Sequence, residues 1–356
     1  KDSLPFFEVR LPLFRYDDPA IAYTKIDVTS TQPQIVLSDI RKQQLIRFDS
    51  GMRLIDSTKS FGTVVDMVFD KNKILACDIG VMNPTNGKFG RGSFLLKDSL
   101  QRLKPDTTAA FDKLARPVQI TVADLNQDGA SDYIVCEFGH FTGALSWMEN
   151  KGNESFIRHE LASQPGAIKS EIHDYNSDGL PDIWVLFTQG KEGIVLFTNK
   201  GNGQFDQREV LNFPAIYGST YFELCDFNDD GFKDIVYTCG DNADYSMVLK
   251  PYHGCYIYLN NGKNIFTQKY FFPINGCFKA IPRDFDNDGD LDIASIAFFA
   301  DYARRPEEGF VYLENKGNFN FQPYGFSQSV LGRWLTMDVG DLDADGKIDI
   351  ILGNFS

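Results

Sequence analysis

The sequence predicts an all-β protein built from repeated four-stranded antiparallel sheets, and three observations carry that expectation. One acidic nonapeptide recurs five times, starting at Asp124, Asp174, Asp226, Asp284 and Asp341, with starts 50, 52, 58 and 57 residues apart. Runs of β-branched and aromatic residues of strand length flank each copy. An aromatic strand ending in an Asn/Gly turn follows each of the first four at a similar distance. A unit of fifty-odd residues with four such strands is the blade of a β-propeller.

Within a unit the elements come in a fixed order. The first strand often opens on a glycine eight residues before the first aspartate: Gly166, Gly218 and Gly276, with Gly332 at nine. Val118-Gln-Ile-Thr-Val122 is such a strand. The acidic loop follows, and then a second strand, such as Tyr133-Ile-Val-Cys136 or Ile183-Trp-Val-Leu-Phe187. After a variable loop comes the third strand, as in Leu145-Ser-Trp-Met-Glu-Asn150 or Val311-Tyr-Leu-Glu-Asn315. Its Asn/Gly tip marks a hairpin, because both residues accept positive φ at low cost. A fourth strand, for instance Phe156-Ile-Arg-His-Glu-Leu161, completes the unit.

Two degenerate copies precede the five. Gly62 opens a first strand that ends at Asp70, and a short turn at 71–73 replaces the loop before Ile74-Leu-Ala-Cys77. Earlier, Tyr23–Val28 and Ile35–Leu37 flank a Pro-containing turn. The expectation is therefore a single domain over 1–356, a seven-bladed propeller with degenerate blades at 16–115 and five loop-bearing blades at 116–356. Residues 4–15, which align with a fourth strand, are expected to close the ring beside the C-terminal strands. The last blade then lacks its third strand: either the chain continues past Ser356 or the closure is incomplete.

Each loop places oxygen-bearing side chains at positions 1, 3, 5 and 9 and glycine at position 6, with a backbone carbonyl expected at position 7. The five sets are Asp124, Asn126, Asp128, Ala130 and Asp132; Asp174, Asn176, Asp178, Leu180 and Asp182; Asp226, Asn228, Asp230, Phe232 and Asp234; Asp284, Asp286, Asp288, Asp290 and Asp292; Asp341, Asp343, Asp345, Lys347 and Asp349. An all-oxygen set in a tight loop suits a hard cation, and calcium takes 6–8 oxygens in tolerant geometry. About five Ca²⁺ ions are expected. An EF-hand would need a glutamate at position 12 and flanking helices. Position 12 is Val135, Val185, Tyr237, Ser295 or Leu352, and the flanks read as strands. Solvated turns alone would not repeat the same four ligand positions five times.

This motif set resembles the FG-GAP/VCBS repeat family of integrin-α-like propellers, strongly over 116–356 and weakly over 16–115. The stretch from Glu137 through Gly139, His140 and Trp147 to Asn150 is similar to bacterial VCBS proteins. The resemblance implies seven blades, calcium at these loops and a place outside the cytoplasm, secreted, periplasmic or at the cell surface. It also implies a role in adhesion, assembly or glycan binding, with membership of a surface or outer-membrane complex among the forms it takes. It fixes no ligand, because fold does not determine function.

The formal charge of −14 agrees with this reading, since five dications would offset most of it. No basic stripe favours nucleic acid. No run of 18 apolar residues is present to span a bilayer as a helix. The six cysteines form no disulfide framework or Cys-x-x-Cys motif. Cys239 and Cys255 stand at one edge of one blade, where either a bridge or two buried thiols would fit.

A partner, protein or glycan, is expected on the face formed by the 2–3 and 4–1 loops, which vary most. Its candidates are Arg91, His140, Asp241, Asp244, Tyr245, Tyr252, His253, Asp301, Tyr302, Arg304, Arg305, Arg333 and Trp334. No catalytic residue is assigned, as no nucleophile-elbow, zincin or P-loop motif occurs. The alternative reading is a polysaccharide lyase or hydrolase at the propeller mouth, with His140 or His253 in acid–base work.

Overall fold

A computed structural model of the chain describes residues 4, 6–11, 17–30, 32–60, 62–71, 73–100, 102–241 and 248–356. Apart from two short 3₁₀ turns at Pro306–Gly309 and Ser327–Leu331, all regular structure among them is β. The chain divides into two compact units, residues 58–216 and residues 1–57 with 217–356.

The unit of residues 58–216 holds sheets at 64–114, 117–162 and 167–213. The other holds sheets at 21–59, 219–273, 277–324 and 334–354. Strands run antiparallel in sequence order. The sheet at 64–114 gains a fifth strand, Phe111–Leu114, paired to Gly90–Lys97.

This is the four-stranded antiparallel blade of a β-propeller, but the expected count of seven is corrected to six. The last sheet has two strands, Trp334–Gly340 and Asp349–Asn354. Among the described residues, only a bridge between Ala20 and Phe355 continues its strand pairing. Of the segment expected to close the blade, residues 4 and 6–11 carry no strand and 12–15 lie outside the described residues. Phe7 contributes packing instead, edge-on to Phe285 at 5.9 Å and to Tyr312 at 5.3 Å.

Burial explains the strand composition. Second and third strands are the most buried in the six full blades, Asp132–Glu137 and Glu192–Asn199 along their whole length. They lie between neighbouring sheets, so both faces must be apolar. Fourth strands, such as Phe156–Ala162, are mostly exposed or half-buried and accordingly polar. Sheet-to-sheet contact is made by large side chains: Trp147 and Leu145 meet Phe187, Val185 and Phe197 in one core, and Phe94 and Phe111 meet Tyr133 in the next. Side chains also tie first strands together. Asp66 accepts the Ile120 N–H at 2.8 Å, Gln119 that of Ser170 at 2.8 Å, and Asp338 that of Ile26 at 2.8 Å.

Every first strand carries a register shift at the same place, just after its opening residue, in all seven sheets. In three blades the glycine before it is required twice over. Gly166, Gly218 and Gly276 have φ of 94°, 63° and 66°. A Cβ on Gly276 would also stand 2.3 Å from the Phe299 carbonyl carbon.

The bridge between Cys239 and Cys255 does not form, and all six cysteines are buried, unbridged thiols. Cys239 pairs with Gly254 while Cys255 pairs with Thr238. That one-residue offset sends the two thiols to opposite faces of the sheet.

Two glycine substitutions separate the reasons for these residues. Gly276→Ala meets both positive φ and backbone collision, and is expected to cost more than ~3 kcal/mol in chemical denaturation. Gly129→Ala has φ of 85° but open space around it, and is expected to cost only ~1 kcal/mol. Equal losses would show that crowding at the strand entrance is unimportant.

Candidate metal centres

The five acidic loops share one hydrogen-bonded form, and strands flank each of them as the sequence predicts. In the third blade, Asp124 accepts the N–H groups of Asp128 at 3.1 Å and Gly129 at 2.9 Å. Asp128 in turn accepts the N–H of Ala130 at 2.8 Å. The first-position carboxylate takes the glycine N–H in the other four loops as well, at 2.8 Å for Asp174 and Asp226, 3.1 Å for Asp284 and 3.0 Å for Asp341. The N–H at position 7 donates to the fifth-position aspartate in Leu180, Phe232, Asp290 and Lys347 too, which fixes that peptide.

Two left-handed residues bend each loop. The glycines at position 6 have φ between 82° and 99°. Position 4 is also left-handed, at Gln127, Ser177, Asp229, Asn287 and Ala344. Residue type at position 4 gives no warning of this; the tight return of the chain imposes it.

The ninth-position aspartate plays a further part. Asp132, Asp182, Asp234 and Asp292 are wholly buried. Each accepts the N–H of loop residue 2 with one oxygen, as Asp132 does from Leu125 at 3.2 Å. The other oxygen accepts the N–H of the asparagine that ends the third strand: Asn150, Asn199, Asn260 and Asn315, at 2.7–2.8 Å. Those asparagines, legible only as turn formers, also return a side-chain N–H to the loop or its edge, as Asn150 does to the Ser131 carbonyl at 3.0 Å. Asp349 is different. It keeps the Leu342 N–H at 2.8 Å but is only half-buried, because its sheet offers no third strand among the described residues.

The donor set fits a hard dication. Carboxylate oxygens of Asp284, Asp286 and Asp292 lie within 4.8 Å of one another, as do those of Asp341, Asp343 and Asp345. All donors are oxygens, the set that calcium or magnesium takes and softer metals do not prefer. Burial raises the carboxyl pKa of Asp132, Asp182, Asp234 and Asp349. Burial, and after it the charge of Asp286, pushes Asp292 up to about 6, against hydrogen bonds from Asn315, Tyr312 and Phe285. Like charges gathered in low dielectric call for a cation.

One group beyond the loops belongs to this setting. Glu149 and Glu314 immediately precede the hairpin asparagines of the third and sixth blades. Asn126 donates to Glu149 at 3.1 Å. Where the second blade has a short turn instead of a loop, a cleft of about 370 Å³ opens, lined by Asp70, Lys73, Phe94, Tyr133, Glu154 and Phe156.

The candidates for a partner surface fare unevenly. In the 58–216 unit, Arg91 pairs with Asp78 at 3.3 Å, and the His140 ring lies 4.0 Å from that of Phe141. Arg116, which sequence reading missed, clamps the Met82 and Gly139 carbonyls at 2.9 and 2.6 Å. In the other unit His253 is corrected: it is 1% exposed, and burial lowers its pKa to about 4. It cannot present its ring to a ligand or serve as a base at the surface. Tyr252 stacks on Tyr217 at 4.7 Å. Asp244 and Tyr245 lie outside the described residues. Arg305 pairs with Glu308 at 2.9 Å, and Arg304 is exposed. Arg333 lies 4.1 Å over Phe298 and 5.9 Å from the Tyr302 ring, and Trp334 donates to the Ser329 carbonyl at 2.8 Å.

Residues 174–237 and 284–352 match the FG-GAP-like repeat. Cartilage acidic protein 1 of Xenopus tropicalis is 30% identical over 172 residues, which is 45% of this chain and 24% of that protein. The chain thus spans about a quarter of that relative's length. Two solved structures are similar over nearly the whole chain. Virginiamycin B lyase from Staphylococcus aureus has a TM-score of 0.56 at 13% identity, covering 95% of this chain and 96% of that one. Saccharomyces cerevisiae Sqt1 has 0.57 at 9%, covering 97% and 95%. At such identities the likeness shows fold alone. The repeat is matched twice, each match running from one acidic loop through the next, so four of the five loops lie within FG-GAP-like repeats carried on the blades of a β-propeller.

Proposed function

We propose that the protein is an extracytoplasmic binding or assembly module whose blades are stiffened by calcium and whose variable loops engage a protein or glycan partner. The observation that supports this most is the form of the five loops. All five bury or half-bury the ninth-position carboxylate beneath the sheet edge, and two of them, at Asp284 and Asp341, bring three carboxylates within 4.8 Å, an arrangement that repels itself unless a cation is held there. Asp124, Asn126, Asp128 and Asp132, with their counterparts in the other four loops, would hold the ion. The carbonyls of Ala130, Leu180, Phe232, Asp290 and Lys347 would add to them. Extracellular modules bind calcium at roughly 10⁻⁴–10⁻³ M, so such loops suit a compartment outside the cytosol. No helix among the described residues is long and apolar enough to cross a membrane.

Support for the partner surface comes from the loops of the 217–356 unit. Arg333 is stacked on Phe298, and its Nε is buried without a hydrogen-bond partner. Tyr302 and Arg333 both donate to the Phe298 carbonyl, at 3.0 and 3.4 Å, which uses both of its lone pairs and leaves none for the Arg333 Nε–H. A planar guanidinium held by aromatic rings is a ready partner for a carboxylate or a polar backbone.

Calcium held at 100 times its dissociation constant stabilises by ~2.7 kcal/mol per site. Removing calcium with a chelating resin is therefore expected to lower Tm by more than about 5 °C. Re-addition should restore it, and elemental analysis should find stoichiometric calcium. An unchanged melting curve would overturn the reading.

The pH dependence has a definite sign. Asp292 has a folded pKa above its unfolded value near 3.8. Without metal, its support for the fold is fully present below about 3.8 and is lost as pH rises through about 6. The difference in Tm between calcium-loaded and metal-stripped protein should therefore widen from pH 5 to pH 7.5. A constant or narrowing difference would contradict the assignment.

A further inference from the structure

Residues 79–89 and 138–143 form the loops between the second and third strands of the second and third blades. They expose four large apolar side chains: Phe141 is 76% exposed, Phe89 63%, Met82 41% and Val81 39%. Isolated apolar residues on a surface are ordinary, but four of them on two joined loops mark a contact surface.

Side chains hold the loops together. Asn86 Oδ1 accepts the Phe141 N–H at 2.9 Å, and the Arg116 guanidinium donates to a carbonyl of each loop, at Met82 and Gly139. The second loop is also tied to strand entrances. Gly139 donates to the Ala115 carbonyl at 2.9 Å, and the Phe138 carbonyl accepts the Gly166 N–H at 2.8 Å. The His140 ring packs on Phe141 at 4.0 Å, and the Phe89 ring lies against Gly87, where an added Cβ would stand 2.1 Å from it. Aromatic side chains anchored in this way lose little freedom when a partner covers them.

Charge narrows the kind of partner. No acidic residue occurs from Ile79 to Lys97 or from Phe138 to Met148, although the chain has 49 of them in 356. The acids at the loop entrances are engaged. Asp78 pairs with Arg91 at 3.3 Å and accepts the Gly80 N–H at 2.9 Å, and Glu137 is buried against Arg158 at 2.6 Å. Lys88 is exposed, and Arg116 donates to carbonyls and to no carboxylate. A sugar would need its hydroxyls paired by well-placed polar side chains. These loops offer no carboxylate for that, and Asn86 Oδ1 is already taken. Exposed aromatic and methionine side chains beside arginine are instead what the centre of a protein interface is made of.

We propose that this patch docks an acidic segment of a partner protein through an apolar anchor, with Phe141 as its main contact. The inference rests on the reading of the protein as a binding module and deepens it by naming the surface and the partner's chemistry.

The test uses the whole chain, immobilised and probed with a displayed library of random dodecapeptides. Enriched peptides should carry Asp or Glu beside Phe, Trp, Leu or Met. Affinity for the best synthetic peptide should fall about 10-fold or more with Phe141→Ser or Phe89→Ser. It should fall several-fold with Lys88→Glu, a loss that shrinks in about 0.5 M NaCl. All three side chains are exposed, so the variants should melt like the parent. Peptides that bind the parent and Phe141→Ser alike would overturn the inference and leave the binding-module reading standing. Retention on phosphatidylserine-containing vesicles, or self-association, that Phe141→Ser abolishes would also overturn it, by giving the patch to a membrane or to a second copy. Failure to enrich any peptide would overturn it as well, and the module reading falls with it only if a glycan array is silent too.

Discussion

The architecture depends on a buried carboxylate that joins three strands. In four blades the aspartate at the start of the second strand accepts one N–H from the acidic loop and one from the end of the third strand. A single side chain thus locks the first turn, the second strand and the hairpin into one register. Hydrogen bonds to charged groups are worth about 1.5–3 kcal/mol each, and removing the carboxylate would strand two buried N–H donors. The same residue is the loop's ninth-position ligand candidate, so sheet geometry and the proposed cation site share one carboxylate.

That coupling explains why so much was legible in the sequence. Asp, Asn or Asp, Asp-Gly and Asp at fixed spacing leave few structural solutions, and the period reports the repeating unit directly. Glycines at Gly166, Gly218 and Gly276 marked strand entrances for a steric reason that the structure bears out. The buried second and third strands were readable from their β-branched and aromatic runs.

What the sequence concealed depends on contacts between distant residues. The strand expected at residues 4–15 looked right by composition, yet pairing is decided by partners and not by composition, and its described part, residues 6–11, packs through Phe7 and carries no strand. The offset of Cys239 from Cys255 by one register step could not be seen without the pairing of Gly254. His253 lay in a loop-rich stretch with exposed neighbours, and its burial is a matter of tertiary packing.

The displaced register just inside every first strand has a consequence for engineering. It occurs in the sheets at 21–59 and 64–114, which have no acidic loop, as faithfully as in those that do. The scaffold and the acidic loop are therefore separable inheritances. Asp70 and Lys73 are the last pair of the first two strands of their blade, where the other blades carry the acidic loop, and they line an open cleft. Transplanting a nonapeptide there, together with an asparagine at the neighbouring hairpin, would add a sixth copy of the acidic loop without redesigning the sheet beneath it.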